Sequence, residues 1–321
     1  MNADMLKVGT ALLYMGAFIL AVGLVVHRLD AILGRGRRAR PWYVAVFLGP
    51  TLLLLCVGLA YPMLRTLYLS FFDATGESFV GGANYAWIFA NDDTLLMLRN
   101  TLLWVVCVPL ASTVIGLVYA VLVDNARRER IATALIVMPM AISFVGATII
   151  WKFVYAYRDA GQEQIGLLNE VLVALGAKPR QFLTDAPGNT FYMIVMLVWI
   201  QAGFAAVVLS AAIKNLPAEV AEAARLDGAD PRQMFWWVTM PSIRPTVLLV
   251  AMTITVATLK VFDIVRTSTG GQFESSVLAL EVYHQSFRAY DSGRGAALAV
   301  LLFVLVVPIA AVQLRRLRRR A

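Results

Sequence analysis

The chain has 321 residues, of which 60% are hydrophobic and 15% are charged, and its mean hydropathy is +0.73. This composition excludes an ordinary water-soluble domain. The formal net charge is +8, but the basic residues lie at the borders of apolar segments, and no nucleic-acid-binding motif accompanies them. We therefore interpret the positive charge as a signal of membrane topology and as a contact with anionic membrane lipid, with no nucleic acid as partner.

Apolar segments long enough to cross a bilayer recur along the whole chain. They predict an all-α polytopic membrane protein with about seven transmembrane helices, at residues 8–27, 43–67, 100–123, 131–155, 190–213, 244–265 and 295–314. The first is interpreted as a retained helix because its front end carries only Lys7 and no clear signal-peptidase site precedes the basic run. We predict two regions: 1–42, an extra helix with a basic linker, and 43–321, the main membrane domain.

Charge patterning predicts the orientation of these helices. Arginine is concentrated in alternate loops and in the tail: Arg28, Arg35, Arg37, Arg38, Arg40, Arg127, Arg128, Arg130, Arg315, Arg316, Arg318, Arg319 and Arg320. The intervening loops carry the carboxylates Asp73, Glu77, Asp92, Asp93, Asp159, Glu163, Asp185, Glu274 and Glu281. By the positive-inside rule the N-terminus is outside and the C-terminus inside, and a long loop at 214–243 faces the cytoplasm.

Several kinds of site are not expected. Carboxylates within the spans are nearly absent and never paired, so acid–base catalysis has no candidate residues. His27 and His284 are predicted on opposite sides of the membrane, which argues against a metal site. Cys56 and Cys107 both fall in apolar spans, where we expect buried thiols and no disulfide. The sequence contains no Walker A pattern, so the chain is not expected to bind ATP itself.

The loop at 214–243 has the signals of a water-exposed helix-turn-helix. Pro217 suits the first turn of a helix, and Glu219 then lies at the positive end of the helix dipole. Gly228 permits a left-handed backbone turn. Asp230 and Pro231 predict the start of a second helix.

Within this loop the sequence resembles the EAA signature of permease subunits of bacterial ABC importers. The matching residues are Glu222, Ala223, Ala224, Asp227, Gly228 and Ala229, followed by Phe235, Pro241 and Pro245. The resemblance implies that the loop docks into a cytoplasmic ATPase. It implies polar contacts from Glu222 and Asp227 at the ATPase cleft, close packing at Ala223 and Ala224, and a turn at Gly228.

Weaker patterns extend the resemblance to carbohydrate permeases of the maltose, trehalose and α-glucoside type, over about residues 43–314. In chain order they are Tyr61-Pro62, Ser70-Phe71-Phe72, Gly82-Ala83-Asn84-Tyr85, Asn100-Thr101, Thr269-Gly270-Gly271, Tyr283 with Phe287, and Asp291-Ser292-Gly293. Many of these permeases have proline after the paired glycines, where this chain has Gln272.

The resemblance implies an importer in a bacterial inner membrane. Its other parts would be a homologous second permease, a cytoplasmic ATPase dimer that binds ATP and Mg, and an extracytoplasmic sugar-binding protein. One alternative is an ABC importer for glycerol phosphate or another small polar solute. A secondary transporter or a non-transporting scaffold is a further alternative, although the spans show neither an ion-coupling carboxylate nor an inverted repeat.

Candidate residues for the substrate path are Trp199, Gln201, Phe204, Thr258 and Lys260, since sugars are bound by aromatic faces and hydrogen-bonding groups. Ordinary helix packing explains the aromatics and the threonine equally well. The positions that line the sugar pocket in maltose-type permeases correspond here to Leu197, Ile200, Gln201, Phe204, Ile254, Ala257, Thr258 and Val261. Few of these residues can form hydrogen bonds or aromatic contacts with a sugar. Either this subunit binds the sugar weakly or a sister subunit supplies most of the contacts. Lys260 and Asp263, three residues apart, are predicted to share one helix face and to be able to pair.

Overall fold

The computed structural model describes residues 40–123 and 128–318, together with isolated positions between Leu13 and Arg28. Within these residues the chain is helical, and its β structure is limited to an antiparallel bridge between Phe72 and Phe79. Apart from those isolated positions, the predicted first span at 8–27 and most of the basic linker lie outside the described residues. So do three of the arginines used to predict the orientation: Arg127, Arg319 and Arg320.

The chain divides into two compact units, one ending at Tyr68 and one beginning at Leu69. The first unit contains α1 (Arg40–Leu55), a π-helical turn (Cys56–Ala60) and most of α2 (Tyr61–Leu69). These elements run on without a break, and the stretch Leu48–Leu69 is long and apolar enough to cross a membrane. Large apolar side chains such as Leu54 and Leu59 are exposed along it, as expected for a surface that faces lipid.

The second unit contains the remaining helices. In chain order they are α3 (Ala83–Ala90), α4 (Asp92–Val123), α5 (Glu129–Val137), α6 (Phe144–Val154), α7 (Leu167–Ala174), α8 (Gly188–Lys214), α9 (Ala218–Leu226), α10 (Pro231–Gln233), α11 (Met240–Thr258), α12 (Asp263–Ser268), α13 (Leu278–Phe287) and α14 (Ser292–Arg318). A 3₁₀ turn, Met138–Ala141, follows α5, and a π-helical turn, Met234–Thr239, joins α10 to α11.

The core of the second unit is built around α8, whose middle is buried on most sides. It packs closely on α4, where a Cβ on Gly116 would lie 2.5 Å from the Cβ of Ala205. Small residues let two helix backbones approach closely, which is a common packing device between membrane helices. Trp104 and Met196 are fully buried in the same apolar cluster.

The predicted span 131–155 is not a straight helix. It is broken into α5 and α6, and the two halves are bent by 104°. Pro139 lies within the 3₁₀ turn that ends the first half. Ser143 then begins the second half, since its hydroxyl oxygen accepts a hydrogen bond of 3.0 Å from the backbone N–H of Gly146. A proline and a fresh N-cap explain the break.

The other predicted spans that fall within the described residues agree with the structure in position, with one exception. Spans 100–123, 190–213 and 295–314 lie within α4, α8 and α14. The prediction of one helix at 244–265 is wrong at its C-terminal end, because α11 stops at Thr258 and α12 starts again at Asp263. Within the described residues, five helices are long and apolar enough to span a membrane, or six if the bent pair forms one span.

Candidate functional site

The loop between α8 and α11 forms the predicted helix-turn-helix. Helix α9 follows Pro217 and has Glu219 in its first turn. It ends in a turn where the N–H of Gly228 donates to the carbonyl oxygen of Arg225 at 3.0 Å, and the N–H of Ala229 donates to that of Ala224, also at 3.0 Å. Gly228 has φ of +80°, the left-handed conformation in which glycine is favoured.

The second half of the loop begins with a capping box. The carboxylate of Asp230 accepts a hydrogen bond of 2.7 Å from the backbone N–H of Gln233, and the side-chain oxygen of Gln233 accepts one of 3.0 Å from the N–H of Asp230. Together these bonds satisfy two donors that a helix start leaves free. The start at Asp230 and Pro231 is therefore confirmed, whereas the partner role of Gln233 and the π-helical turn after it were missed.

The EAA residues lie largely on the surface. Glu222, Ala223, Asp227 and Gly228 are exposed, and Ala224 and Ala229 are partly buried. The side chain of Leu226, between them, is 89% exposed. Exposed small residues beside an exposed leucine form a surface that another protein can approach closely.

Two adjacent cavities lie beneath α9, of about 340 and 510 Å³. Both are lined by Ile213, Arg225, Met234 and Thr239. The end of α8 is tied to the start of α5 by an ion pair between Lys214 and Glu129. The loop is thus held at its base, and the cavities lie between α9, the end of α8 and the π-helical turn at Met234–Thr239.

The predicted substrate-path residues occupy different environments. On α8, Gln201 and Phe204 are partly buried, and Trp199 packs edge-to-face on Trp151 with ring centroids 5.8 Å apart. Thr258 at the end of α11 is fully buried, and its hydroxyl donates to the carbonyl oxygen of Ile254 at 2.8 Å. A hydroxyl in that position is satisfied by its own helix.

The predicted pairing of Lys260 with Asp263 on one helix face is wrong. Lys260 is exposed in the break between α11 and α12, and Asp263 is the first residue of α12. Among the described residues no ion pair joins them. The one-helix prediction could not place them because the break is set by tertiary packing: Leu259 and Val261, on either side of Lys260, are buried.

Buried asparagines, which the sequence patterns did not single out as structural, hold the loop 269–277. The side-chain amide of Asn100 donates to the carbonyl oxygens of Glu274 and Ser276 at 2.6 and 3.0 Å. That of Asn189 donates to the carbonyl of Phe273 at 2.7 Å. The N–H of Leu278 donates to the hydroxyl of Thr101 at 3.0 Å. Asn100-Thr101 and the paired-glycine segment are therefore parts of one junction.

A second junction joins three other patterns. The amide of Asn84 donates to the carbonyl oxygens of Ser70 and Phe72 at 2.9 and 2.7 Å. The hydroxyl of Tyr85 donates to that of Ser70 at 2.8 Å. Gly293 lies against the Phe72 carbonyl, where a Cβ has no room. The three segments are far apart in sequence. Asn84 supplies hydrogen-bond donors to the backbone carbonyls of Ser70 and Phe72, and the absence of a side chain at Gly293 lets its backbone lie against Phe72.

The fold and the loop together define a membrane subunit of a transporter: bilayer-length helices interrupted by one helix-turn-helix with an exposed small-residue surface. The chain belongs to the family of binding-protein-dependent transport system inner membrane components, whose model matches residues 112–320. It is therefore an inner membrane component of an ABC transport system.

Relatives and a solved structure agree with this membership. The osmoprotective compounds uptake permease protein GgtC of Synechocystis is 47% identical over 85% of this chain and 98% of its own length. The alpha-glucoside transport system permease protein AglF of Rhizobium meliloti is 47% identical over 88% of this chain and 83% of its own. A chain of a bacterial ABC transporter that imports the acidic polysaccharide alginate has a TM-score of 0.75, with 21% identity, 87% coverage of this chain and 96% coverage of its own, which shows a shared fold.

Proposed function

We propose that this chain is one permease subunit of an ATP-driven, binding-protein-dependent sugar importer, and that the loop at 214–243 couples it to the ATPase. The observation that carries the proposal is the geometry of α9. It ends in a glycine turn, is followed by a capped restart, and presents Glu222, Ala223 and Asp227 to solvent. A short helix so exposed between apolar spans has the form of a docking element.

In this mechanism the chain itself does no covalent chemistry. ATP and Mg are bound by two copies of a cytoplasmic ATPase, and closure of that dimer on ATP moves α9. The pore then changes from an inward-facing to an outward-facing state and receives sugar from an extracytoplasmic binding protein. Coupling of this kind requires contacts that differ between the two states. Glu222 and Asp227 would supply polar contacts, Ala223, Ala224 and Ala229 close packing, and Gly228 the turn.

The substrate we infer is an α-linked di- or oligosaccharide. AglF, an alpha-glucoside permease, is 47% identical, and the trehalose/maltose permease MalF of Thermococcus litoralis is 28% identical. The sn-glycerol-3-phosphate permease UgpA of Yersinia enterocolitica, which represents the alternative substrate, is 26% identical. Trp199, Gln201 and Phe204 on α8 are the path residues with partly exposed side chains of suitable chemistry; Thr258 and Lys260 would contribute indirectly or after the pore changes state.

The remaining architecture follows from the same proposal. Seven helices, with the N-terminus outside and the C-terminus inside, place the loop at 214–243 in the cytoplasm. The region 1–42 would be an extra helix with a basic linker on anionic lipid, and 43–321 would be the permease domain. A homologous second permease would complete the translocation path.

The proposal is tested by gentle purification of the chain in detergent, followed by mass spectrometry of the proteins that accompany it. An ATPase, a second permease and a binding protein are expected. Proteoliposomes made from that assembly should take up maltose or trehalose when ATP is supplied inside. Recovery of the intact chain alone, under conditions that preserve a known ABC importer, would overturn the proposal. Uptake of sn-glycerol-3-phosphate in place of either sugar would contradict the inferred sugar substrate.

A further inference from the structure

A cluster of one arginine and three aromatic rings lies at the break between α11 and α12. In this Arg266 cluster the guanidinium carbon of Arg266 is 4.2 Å from the ring centroid of Tyr283 and 5.3 Å from that of Phe262. The rings of Phe262 and Tyr283 meet at 60° with centroids 5.4 Å apart, and those of Tyr283 and Phe287 at 37° with centroids 5.5 Å apart.

The fold holds the inner part of this cluster and leaves the outer part open. Phe262 and Tyr283 pack against the main apolar core, whose buried members include Val261 and Val265. Arg266 is exposed, and the side chain of Phe287 is 66% exposed. A rigid, partly open aromatic surface with a charged donor at its edge is a typical small-ligand contact.

Arg266 differs from the other arginine that stacks on an aromatic ring among the described residues. The guanidinium carbon of Arg294 lies 4.6 Å from the ring centroid of Trp87, but Arg294 also pairs with the carboxylate of Asp291 at 3.5 Å. Within the described part of the chain Arg266 has no carboxylate at ion-pair distance. Hydrogen bonding and positive charge from Arg266, together with Arg288, lower the pKa of the Tyr283 hydroxyl. The Arg266 guanidinium stacks on the Tyr283 ring and has N–H donors for a further acceptor.

We propose that the Arg266 cluster is a saccharide-binding site of this subunit. A pyranose would lay its C–H face on the exposed ring of Phe287 and accept hydrogen bonds from Arg266 through neighbouring hydroxyls. This chemistry needs an aromatic face and a planar donor at one rim. The site rests on the proposed function, and it supplies what the positions matched to the maltose-type pocket lack, since Leu197, Ile200 and Ile254 are buried apolar residues.

The test uses the whole importer, purified with its accompanying subunits and reconstituted in proteoliposomes, with maltose and trehalose as probes. Arg266→Gln and Phe287→Leu are compared with unmodified importer at saturating loaded binding protein. Loss of one contact of about 1 kcal/mol between the sugar and the Arg266 cluster predicts transport slower by about fivefold. ATP hydrolysis stimulated by the loaded binding protein should change less than about twofold, so that less sugar moves per ATP.

The matched control is Arg294→Gln, which removes the other stacked arginine and should leave the sugar moved per ATP unchanged. A parallel fall of transport and ATP hydrolysis in the Arg266 and Phe287 variants would show a structural role and overturn the site. Unchanged transport in both variants would also overturn it, with the importer function intact. Failure of the unmodified importer to move either sugar would instead contradict the proposed substrate.

Discussion

The backbone N–H of Gly228 donates to the carbonyl oxygen of Arg225 at 3.0 Å, while Gly228 has φ of +80°. The same geometry ends α7, where Gly176 also has φ of +80° and its N–H donates to the carbonyl of Val173 at 2.9 Å. Neither glycine has an atom within 4 Å of where a Cβ would lie. The two turns therefore have nearly the same local structure, although they lie in different parts of the chain.

This pair gives a matched test of the coupling loop. Proline fixes φ near about −65° and lacks an N–H, so Gly228→Pro and Gly176→Pro damage the same kind of turn to a similar extent. We expect Gly228→Pro to abolish ATP-driven uptake while the protein remains in the membrane, and Gly176→Pro to retain most of it. Uptake by the assembled importer and membrane abundance are the measurements. Equal uptake in the two variants would refute a special role for the Gly228 turn.

The capping box predicts a smaller effect on the same loop. Asp230→Ala removes the carboxylate that accepts from the N–H of Gln233, and the loss of such a cap costs about 1 kcal/mol. Asp230→Ser keeps an acceptor and serves as the control. We expect proteolytic cleavage near Asp230 to become several times faster in the alanine variant only. Identical cleavage rates in all three proteins would show that the box does not order the loop.

Close packing of α4 on α8 predicts a stability change. Gly116→Ala would place a Cβ 2.5 Å from that of Ala205 and 2.7 Å from the backbone nitrogen of Ala206. Overpacking of this kind costs about 1–3 kcal/mol, so the apparent melting temperature in detergent should fall. Adding Ala205→Gly should restore part of the loss. Gly58→Ala, where a Cβ meets nothing within 4 Å, is the control, and an equal fall there would contradict the packing argument.

We expect the hydrogen bonds of Asn100 to hold the loop 269–277 in place. Its side chain is fully buried and donates to two backbone carbonyls, those of Glu274 and Ser276. Asn100→Leu leaves both carbonyls without that donor, and each unsatisfied buried group costs about 1–3 kcal/mol. We expect a lower melting temperature and faster proteolysis of the loop. The control is Asn215→Leu, at an exposed position after α8. A melting temperature unchanged by Asn100→Leu would show that the hydrogen bonds of Asn100 do not hold the loop 269–277.

The loop at 214–243 shows which features of a structure can be predicted from single residues and their near neighbours in sequence. Proline, aspartate and glycine have strong intrinsic preferences for helix starts and left-handed turns. The start of α10 at Asp230 and the turn at Gly228 could therefore be read from single residues. Gln233 could also have been found, because a Gln or Glu three residues after an N-cap is a recognised sequence signal. The π-helical turn at Met234–Thr239 has no such signal.

The sequence by itself determined the membrane class, the approximate positions of the long spans and the family, because bilayer thickness and hydrophobicity set the length of a span regardless of its neighbours. Only the tertiary structure decided where α11 ends, that Lys260 and Asp263 lie on different elements, and that Asn100 meets Glu274. It also brought Arg266 of α12 onto Tyr283 of α13. Such contacts depend on helix packing, in which each position is fixed by partners far away in the chain rather than by adjacent residues.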